Sequence, residues 1–264
     1  MPELPEVETV TRSIARLVGR RIVSAEFRCL RILRGGDPDR MAACLQGRRI
    51  STIRRYGKFI LFSLSGGGFL TVHLGMTGRL LLGGKPGKHT HAIVTLDRGT
   101  LLFDDSRQFG CVQFSEEFPA RVARLGPEPL EVGFEDFAAG LRRHKARIKA
   151  LLLNQAFVRG IGNIYADETL FRAGIHPLAV AARLRGDRQR LLYESMVSVL
   201  TEAIAAGGSS VSDYVDAQGR EGFFQFSHRV YQRTGEPCFS CGTPIRRLLV
   251  AQRSSHFCPK CQRR

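Results

Sequence analysis

The residues with the most chemical content open the chain: Met1-Pro2-Glu3-Leu4-Pro5-Glu6-Val7-Glu8. Met1 is ordinarily removed before a residue as small as Pro2, which makes proline the first residue. Its nitrogen is then a secondary amine rather than an amide, able to attack an electrophilic carbon and form an iminium ion, as a lysine does in Schiff-base chemistry. Glu3 stands beside it, able to give or take a proton. Leu4, Val7, Val10, Ile14 and Leu17 recur at helical spacing, so a helix would hold amine and carboxylate at its start. Proline and glutamate are also common at helix N-termini for purely structural reasons, and this stretch alone leaves both readings open.

Further along, Lys58 follows Tyr56-Gly57 at a hairpin whose glycine permits a tight turn, presenting an ammonium at the rim. His73-Leu74-Gly75-Met76-Thr77-Gly78 ends a strand with a methionine set among small residues. Asp104-Asp105-Ser106-Arg107-Gln108-Phe109-Gly110 is a second loop, with an arginine and a phenylalanine. Apolar wedges beside arginine are one way proteins unstack a duplex, and core packing is the other use of such residues. Arg159-Gly160-Ile161-Gly162-Asn163 places two glycines before an asparagine N-cap, exposing N–H groups at a positive helix terminus, a ready phosphate site. Cys238-x-x-Cys241 and Cys258-x-x-Cys261 have the spacing of a closed tetrahedral zinc site of structural type. His256 is a conceivable further ligand, but four thiolates already complete the shell. Arg253 would project from a β-hairpin between the cysteine pairs, backed by Arg246 and Arg247.

These groups need a scaffold, and the composition allows one. With 264 residues, 43% of them apolar, the chain is long enough for two ordinary domains with real cores. Forty Lys and Arg against 24 Asp and Glu give a net charge of +16, which calls for a polyanionic partner, nucleic acid before membrane. No apolar run approaches the roughly 20 residues that span a bilayer, and no signal peptide precedes the Pro-Glu start, so the cytoplasm is the default location. Strands are expected over 21–33, 48–55, 59–64, 69–74, 80–82, 92–96, 101–103 and 111–114, with Gly-rich turns between them, a pattern of sandwich or barrel. No phosphate-binding glycine motif of nucleotide enzymes is present. Leu125-Gly126-Pro127-Glu128-Pro129-Leu130 marks a boundary, after which helical patterns take over. Helices are expected over 134–141, from 148, over 164–173 and over 188–206, and a polar, mobile stretch over 209–225.

In this order and over the full length, the motifs resemble the bacterial formamidopyrimidine-DNA glycosylases, of the helix-two-turns-helix family that also includes endonuclease VIII. The resemblance rests on Pro2 to Thr9, on His73-Leu74-Gly75-Met76, on Arg159 to Glu168, and on the four-cysteine finger with Gln252-Arg253-Ser254. Leu4 follows the purine-lesion branch. The implied fold is α+β and multidomain: a catalytic β-sandwich flanked by helices over 1–130, a helix-two-turns-helix domain over 131–228 and a β-hairpin zinc finger over 229–264. The implied function is bifunctional: a glycosylase and AP lyase for oxidised purines in damaged double-stranded DNA, monomeric, bacterial and nucleoid-associated, with one structural Zn2+. Pro2 would be the nucleophile and Glu3 the proton donor; Lys58 would assist β-elimination and Arg253 δ-elimination. Asn163 and His73 would contact the lesion's phosphates, with His89 and His144 adding DNA contacts. Met76, Arg107 and Phe109 would fill the void left by the flipped base. Gln108 and His144 depart from the basic residues common at those places. An endonuclease VIII-like enzyme for oxidised pyrimidines is the neighbouring alternative; a non-catalytic DNA-binding protein is argued against by the intact Pro2, Glu3 and Lys58.

If Pro2 is the nucleophile, the active protein lacks Met1, because an acylated nitrogen has its lone pair delocalised. Intact-mass measurement combined with borohydride trapping checks this: only chains without Met1 should form the adduct, and an adduct on a chain retaining Met1 would contradict it.

Overall fold

The computed structural model describes residues 1–34, 36–211 and 214–264. Gly35 of the expected turn, and Ser212 and Asp213 of the expected mobile stretch, lie outside the described residues. The chain divides into two compact units, Met1–Arg124 with Ala206–Gln225, and Leu125–Ala205 with Phe226–Arg264.

The first unit begins with helix α1 (Leu4–Ser13), with Pro5 in its first turn. Its N-terminus carries a capping box in which Glu3 accepts from the Glu6 N–H while the Glu6 carboxylate takes the Glu3 N–H. Then follow β1 (Ile22–Phe27), α2 (Pro38–Leu45), β2 (Ile50–Tyr56), β3 (Phe59–Leu64), β4 (Phe69–His73), β5 (Gly78–Leu82), β6 (Thr90–Leu96), β7 (Thr100–Asp105), β8 (Cys111–Ser115) and the short α3 (Ala120–Ala123). The strands form two four-stranded antiparallel sheets, ordered β1-β6-β7-β5 and β2-β3-β4-β8. Leu80, Val94, Leu101 and Phe103 of the first sheet share one core with Ile60, Phe62, Leu70 and Val72 of the second, joined by Val7, Val10 and Ile14 of α1. Full burial of such a side chain contributes roughly 1.5–3 kcal/mol, so the face of α1 predicted from its spacing anchors the N-terminus to the sandwich.

Two differences from the sequence reading have simple causes. The strand expected to run from Arg21 to Leu33 stops at Phe27, because its partner β6 begins at Thr90 and pairing ends at Phe27 with Ala92. A 3₁₀ turn at Leu30–Ile32 follows. The stretch expected to be mobile is hydrogen-bonded to the rest of its unit at several described positions. Ser209 N–H donates to the Glu6 carboxylate at 2.8 Å, Ser210 N–H to Gln225 Oε1 at 2.9 Å, and Leu82 N–H to the Ala217 carbonyl at 2.9 Å.

The second unit contains α4 (Phe134–Arg143), α5 (Ile148–Leu153), α6 (Asn163–Arg172), α7 (Asp187–Ala205), and a two-stranded sheet of β9 (Arg246–Val250) and β10 (Arg253–Phe257). Two adjacent carboxylates on α6 hold the segments that follow α7. Asp167 accepts from the His256 N–H at 2.9 Å and from the Lys149 ammonium at 2.6 Å. Glu168 accepts from the backbone N–H groups of Arg229, Val230 and Tyr231, at 2.9, 3.0 and 2.8 Å. Among the described residues no helix is long and apolar enough to cross a membrane.

Candidate functional site

Pro2 and Glu3 are both buried at the capped start of α1. Glu6 fixes them from behind. One of its oxygens takes the Glu3 N–H at 2.7 Å and the other takes the Ser209 N–H at 2.8 Å, so one carboxylate links the N-terminus to the 206–225 stretch. Gly208 lets the two meet: its φ is +83°, and a Cβ there would come within 2.8 Å of the Glu6 carboxylate. The Tyr214 hydroxyl donates to the Glu6 carbonyl at 3.3 Å; burial, with the Glu6 charge adding to it, raises its pKa and keeps it a donor.

Lys58 occupies a two-residue loop between β2 and β3, closed by the pair Tyr56 and Phe59. Gly57 has φ +58°, as the first loop position of a II′ hairpin requires. Lys58 is buried rather than projecting into solvent. Its neighbour in the fold is His73, whose ring lies 4.9 Å from that of Phe59. Burial, followed by the charges of Lys58, Arg121 and Arg34, lowers the His73 pKa to about 4. His73 is therefore neutral at pH 7. Its Nδ1 accepts the Gly75 N–H at 3.1 Å, which puts the ring proton on Nε2. A neutral N–H donor ringed by three cations suits a phosphate. The sequence reading missed Arg34 and Arg121, which sit among many other arginines with no motif to distinguish them.

The two loops proposed to enter the duplex meet closely. At Gly75, φ is +65° and a Cβ would lie 2.4 Å from Gly110 N and 2.5 Å from the Phe109 carbonyl carbon, so only glycine fits. Asp105, fully buried, organises the second loop by accepting from the Gly110 and Arg107 N–H groups at 2.7 and 3.2 Å. Met76 and Phe109 are 42% and 53% exposed, so both side chains stand out from the loops rather than in the core. The Arg107 guanidinium stacks on the Phe109 ring, 4.7 Å from its centroid. His89 is exposed, and its carbonyl takes the Asp105 N–H at 2.9 Å.

On the second unit, the helix expected to be capped by Asn163 has Gly162 as N-cap and Asn163 as its first residue. The Asn163 Oδ1 is buried without a hydrogen-bond partner among the described residues, an unspent polar group at a helix N-terminus. His144 caps α4 instead of standing free: its Nδ1 donates to the Gly140 carbonyl at 2.8 Å. Neutral, it would present only an acceptor at Nε2, so it could donate to a phosphate only when protonated.

Arg253 is exposed at the tip of the β9–β10 hairpin. Val250 pairs with Arg253, and the two loop residues Ala251 and Gln252 have φ of +48° and +59°. This is the backbone of a I′ turn, adopted here without glycine, at of order 1–2 kcal/mol per residue. The four cysteines satisfy the demands of zinc. Their Sγ atoms lie within 4.8 Å of one another, with Cys238 and Cys261 at 3.9 Å and Cys241 and Cys258 at 3.5 Å. A tetrahedral ion with bonds of about 2.3 Å sets its sulfurs about 3.8 Å apart. His256 stands outside this cluster, with its Nδ1 on Asp167 at 3.0 Å.

Comparison with known proteins agrees along the chain. "Formamidopyrimidine-DNA glycosylase N-terminal domain" matches residues 1–112, "Formamidopyrimidine-DNA glycosylase H2TH domain" residues 125–215, and "Zinc finger found in FPG and IleRS" residues 235–264. A formamidopyrimidine-DNA glycosylase of Solibacter usitatus is 74% identical over 264 residues, covering all of both chains. The crystal structure of MutM (Fpg) from Thermus thermophilus superposes with a TM-score of 0.89 at 44% identity, covering 99% of this chain and 98% of that one. A Lactococcus lactis Fpg mutant complexed with Fapy-dG containing DNA superposes at 0.91 with 36% identity, covering all of both chains.

Two expectations follow. Cys241→Ser should lose the zinc and, with it, the finger and DNA affinity, while the first unit stays folded, since a finger this small depends on its metal. Metal analysis and circular dichroism check this, and wild-type protein without stoichiometric zinc would refute it. His73, with its folded pKa depressed below the unfolded 6.5, contributes stability that is complete above pH 6.5 and is lost as pH falls towards 4. Denaturant titrations should show wild type losing of order 2–3 kcal/mol more than His73→Gln across that window; parallel losses would mean that the imidazole titrates normally.

Proposed function

The chain belongs to the formamidopyrimidine-DNA glycosylase family, and on that premise we propose how its own residues perform the reaction. The protein is a DNA glycosylase and AP lyase acting on oxidised purines in duplex DNA. The lesion must leave the stack before its sugar can be attacked. The Pro2 nitrogen then attacks C1′ as the glycosidic bond breaks and the base leaves with the bonding pair. Glu3 donates the proton that lets the sugar ring open, giving an iminium between Pro2 and C1′. The iminium acidifies the C2′–H; loss of that proton breaks the C3′–O bond, with Lys58 assisting. A second elimination, assisted by Arg253, breaks the bond to the 5′-oxygen. The observation that carries this reading is the buried Pro2-Glu3 pair at a capped helix start, fixed through Glu6.

His73, from the first unit, and Asn163 and Arg253, from the second, bind backbone phosphates, with His89 and His144 adding contacts. Met76, Arg107 and Phe109 fill the void. Zinc bound by Cys238, Cys241, Cys258 and Cys261 supplies folding energy to the finger and no chemistry. The enzyme works as a monomer, in the cytoplasm, where a nucleoid-associated repair enzyme meets its substrate.

Arg107 gives the reading its sharpest test. Orphaned cytosine shows two adjacent acceptors, which a guanidinium fork matches; adenine shows an acceptor beside a donor. A good bidentate contact is worth roughly 1–3 kcal/mol of discrimination. Single-turnover excision of 8-oxoguanine should favour cytosine over adenine opposite the lesion, and Arg107→Ala should shrink that ratio by about tenfold or more while sparing AP-site cleavage. An unchanged ratio would move the reader elsewhere, and wild type unable to excise 8-oxoguanine opposite cytosine would overturn the function itself.

A further inference from the structure

Lys149 and Asp167 are a charged pair with no part in the chemistry described so far, and both are fully enclosed, at 0% and 1% side-chain exposure. Enclosing two charges is costly unless they are well hydrogen-bonded, and several of their bonds converge on one strand. The Lys149 ammonium donates to Asp167 Oδ1 at 2.6 Å and to the Ser254 carbonyl at 2.8 Å. Asp167 Oδ1 also accepts the Ser255 hydroxyl at 3.1 Å. Its Oδ2 accepts the His256 N–H at 2.9 Å and lies 3.0 Å from His256 Nδ1. Thus the three residues that follow Arg253 are each tied to the same pair.

The pattern has a specific meaning for a strand. β10 belongs to a two-stranded sheet, with β9 along one edge. Residues two apart in a strand present their backbone groups to the same edge. Along the edge holding Ser254 and His256, a further strand would supply a donor for the Ser254 carbonyl and an acceptor for the His256 N–H. Lys149 and Asp167 supply both from helices α5 and α6.

We propose that Lys149 and Asp167 are positioning residues that stand in for a third strand beside β10 and thereby fix Arg253 at the hairpin tip for the second elimination. The proposal rests on the role assigned to Arg253. It explains why the tip holds two left-handed residues other than glycine: the strand behind Arg253 is clamped, so the turn cannot relax by sliding.

The test uses full-length, zinc-loaded protein and an abasic-site duplex, and reads the ratio of δ- to β-elimination products on a denaturing gel. Zinc content and the rate of borohydride trapping are measured on the same samples. Lys149→Met should lower the δ-to-β ratio by about tenfold or more, with one zinc per chain retained and trapping within about twofold of wild type. Lys149→Arg, which keeps donors, should recover part of the ratio, and Lys149→Met combined with Arg253→Ala should be no worse than Arg253→Ala alone. If Arg253→Ala leaves the ratio unchanged, the role of Arg253 fails, and the proposal with it. If Arg253→Ala lowers the ratio while Lys149→Met does not, the positioning proposal fails alone. Should Lys149→Met lose its zinc, Asp167→Asn is read by the same ratio. A lowered ratio with zinc bound supports the proposal; a normal ratio, or loss of zinc there too, overturns it and leaves the pair serving only the folding of the finger.

Discussion

Helix α6 governs the second unit through two neighbouring carboxylates. Asp167 holds strand β10, and Glu168 holds the backbone of Arg229, Val230 and Tyr231. Burial raises the pKa of Glu168, and the three N–H donors oppose that shift. Each carboxylate takes several donors, which is the condition under which a buried acid stabilises a structure instead of weakening it. The functional consequence is geometric. Asn163 begins the same helix, at its positive end, where free N–H groups favour an anion. The phosphate contact proposed for Asn163 and the one proposed for Arg253 are therefore carried on one framework of helix and hairpin.

The first unit solves a different problem, that of bringing mobile-looking segments to fixed places. Glu6 does this for the N-terminus and the 206–225 stretch, and Asp105 does it for the loop of Arg107 and Phe109. Gly75 and Gly208 permit the two close approaches, at φ values a side chain rarely adopts. Around His73, burial first and then the charges of Lys58, Arg121 and Arg34 depress the imidazole pKa, so the positive field comes from those three residues and the histidine contributes a directional hydrogen bond. Charge that attracts and a donor that aligns thus come from different residues.

Much of this was legible in the sequence, and what was not has a common cause. Strands such as β3 and β6 were readable because apolar residues and glycine turns mark them locally. The cysteine spacing specified the metal site without help from the fold. The end of β1 was not readable, because it depends on where a partner more than sixty residues away begins. Lys149 in Ile-Lys-Ala-Leu-Leu-Leu looks like an ordinary solvated helix position; its partners are 18 and 105 residues away, and only the fold unites them. His256 looked like a conceivable metal ligand for the same reason: its partner, Asp167, lies 89 residues earlier. The four-residue motifs that carry chemistry are local, while the groups that hold them still are distant in sequence.

The central claim is that α6 and the finger hairpin behave as one body through Asp167 and Glu168. Amide hydrogen exchange on the zinc-loaded protein tests it most directly. The amides of Val230, Tyr231 and His256 should be protected to within about tenfold of the interior amides of α6. Exchange at these three positions at the rate of an open loop, with zinc bound and α6 protected, would contradict it.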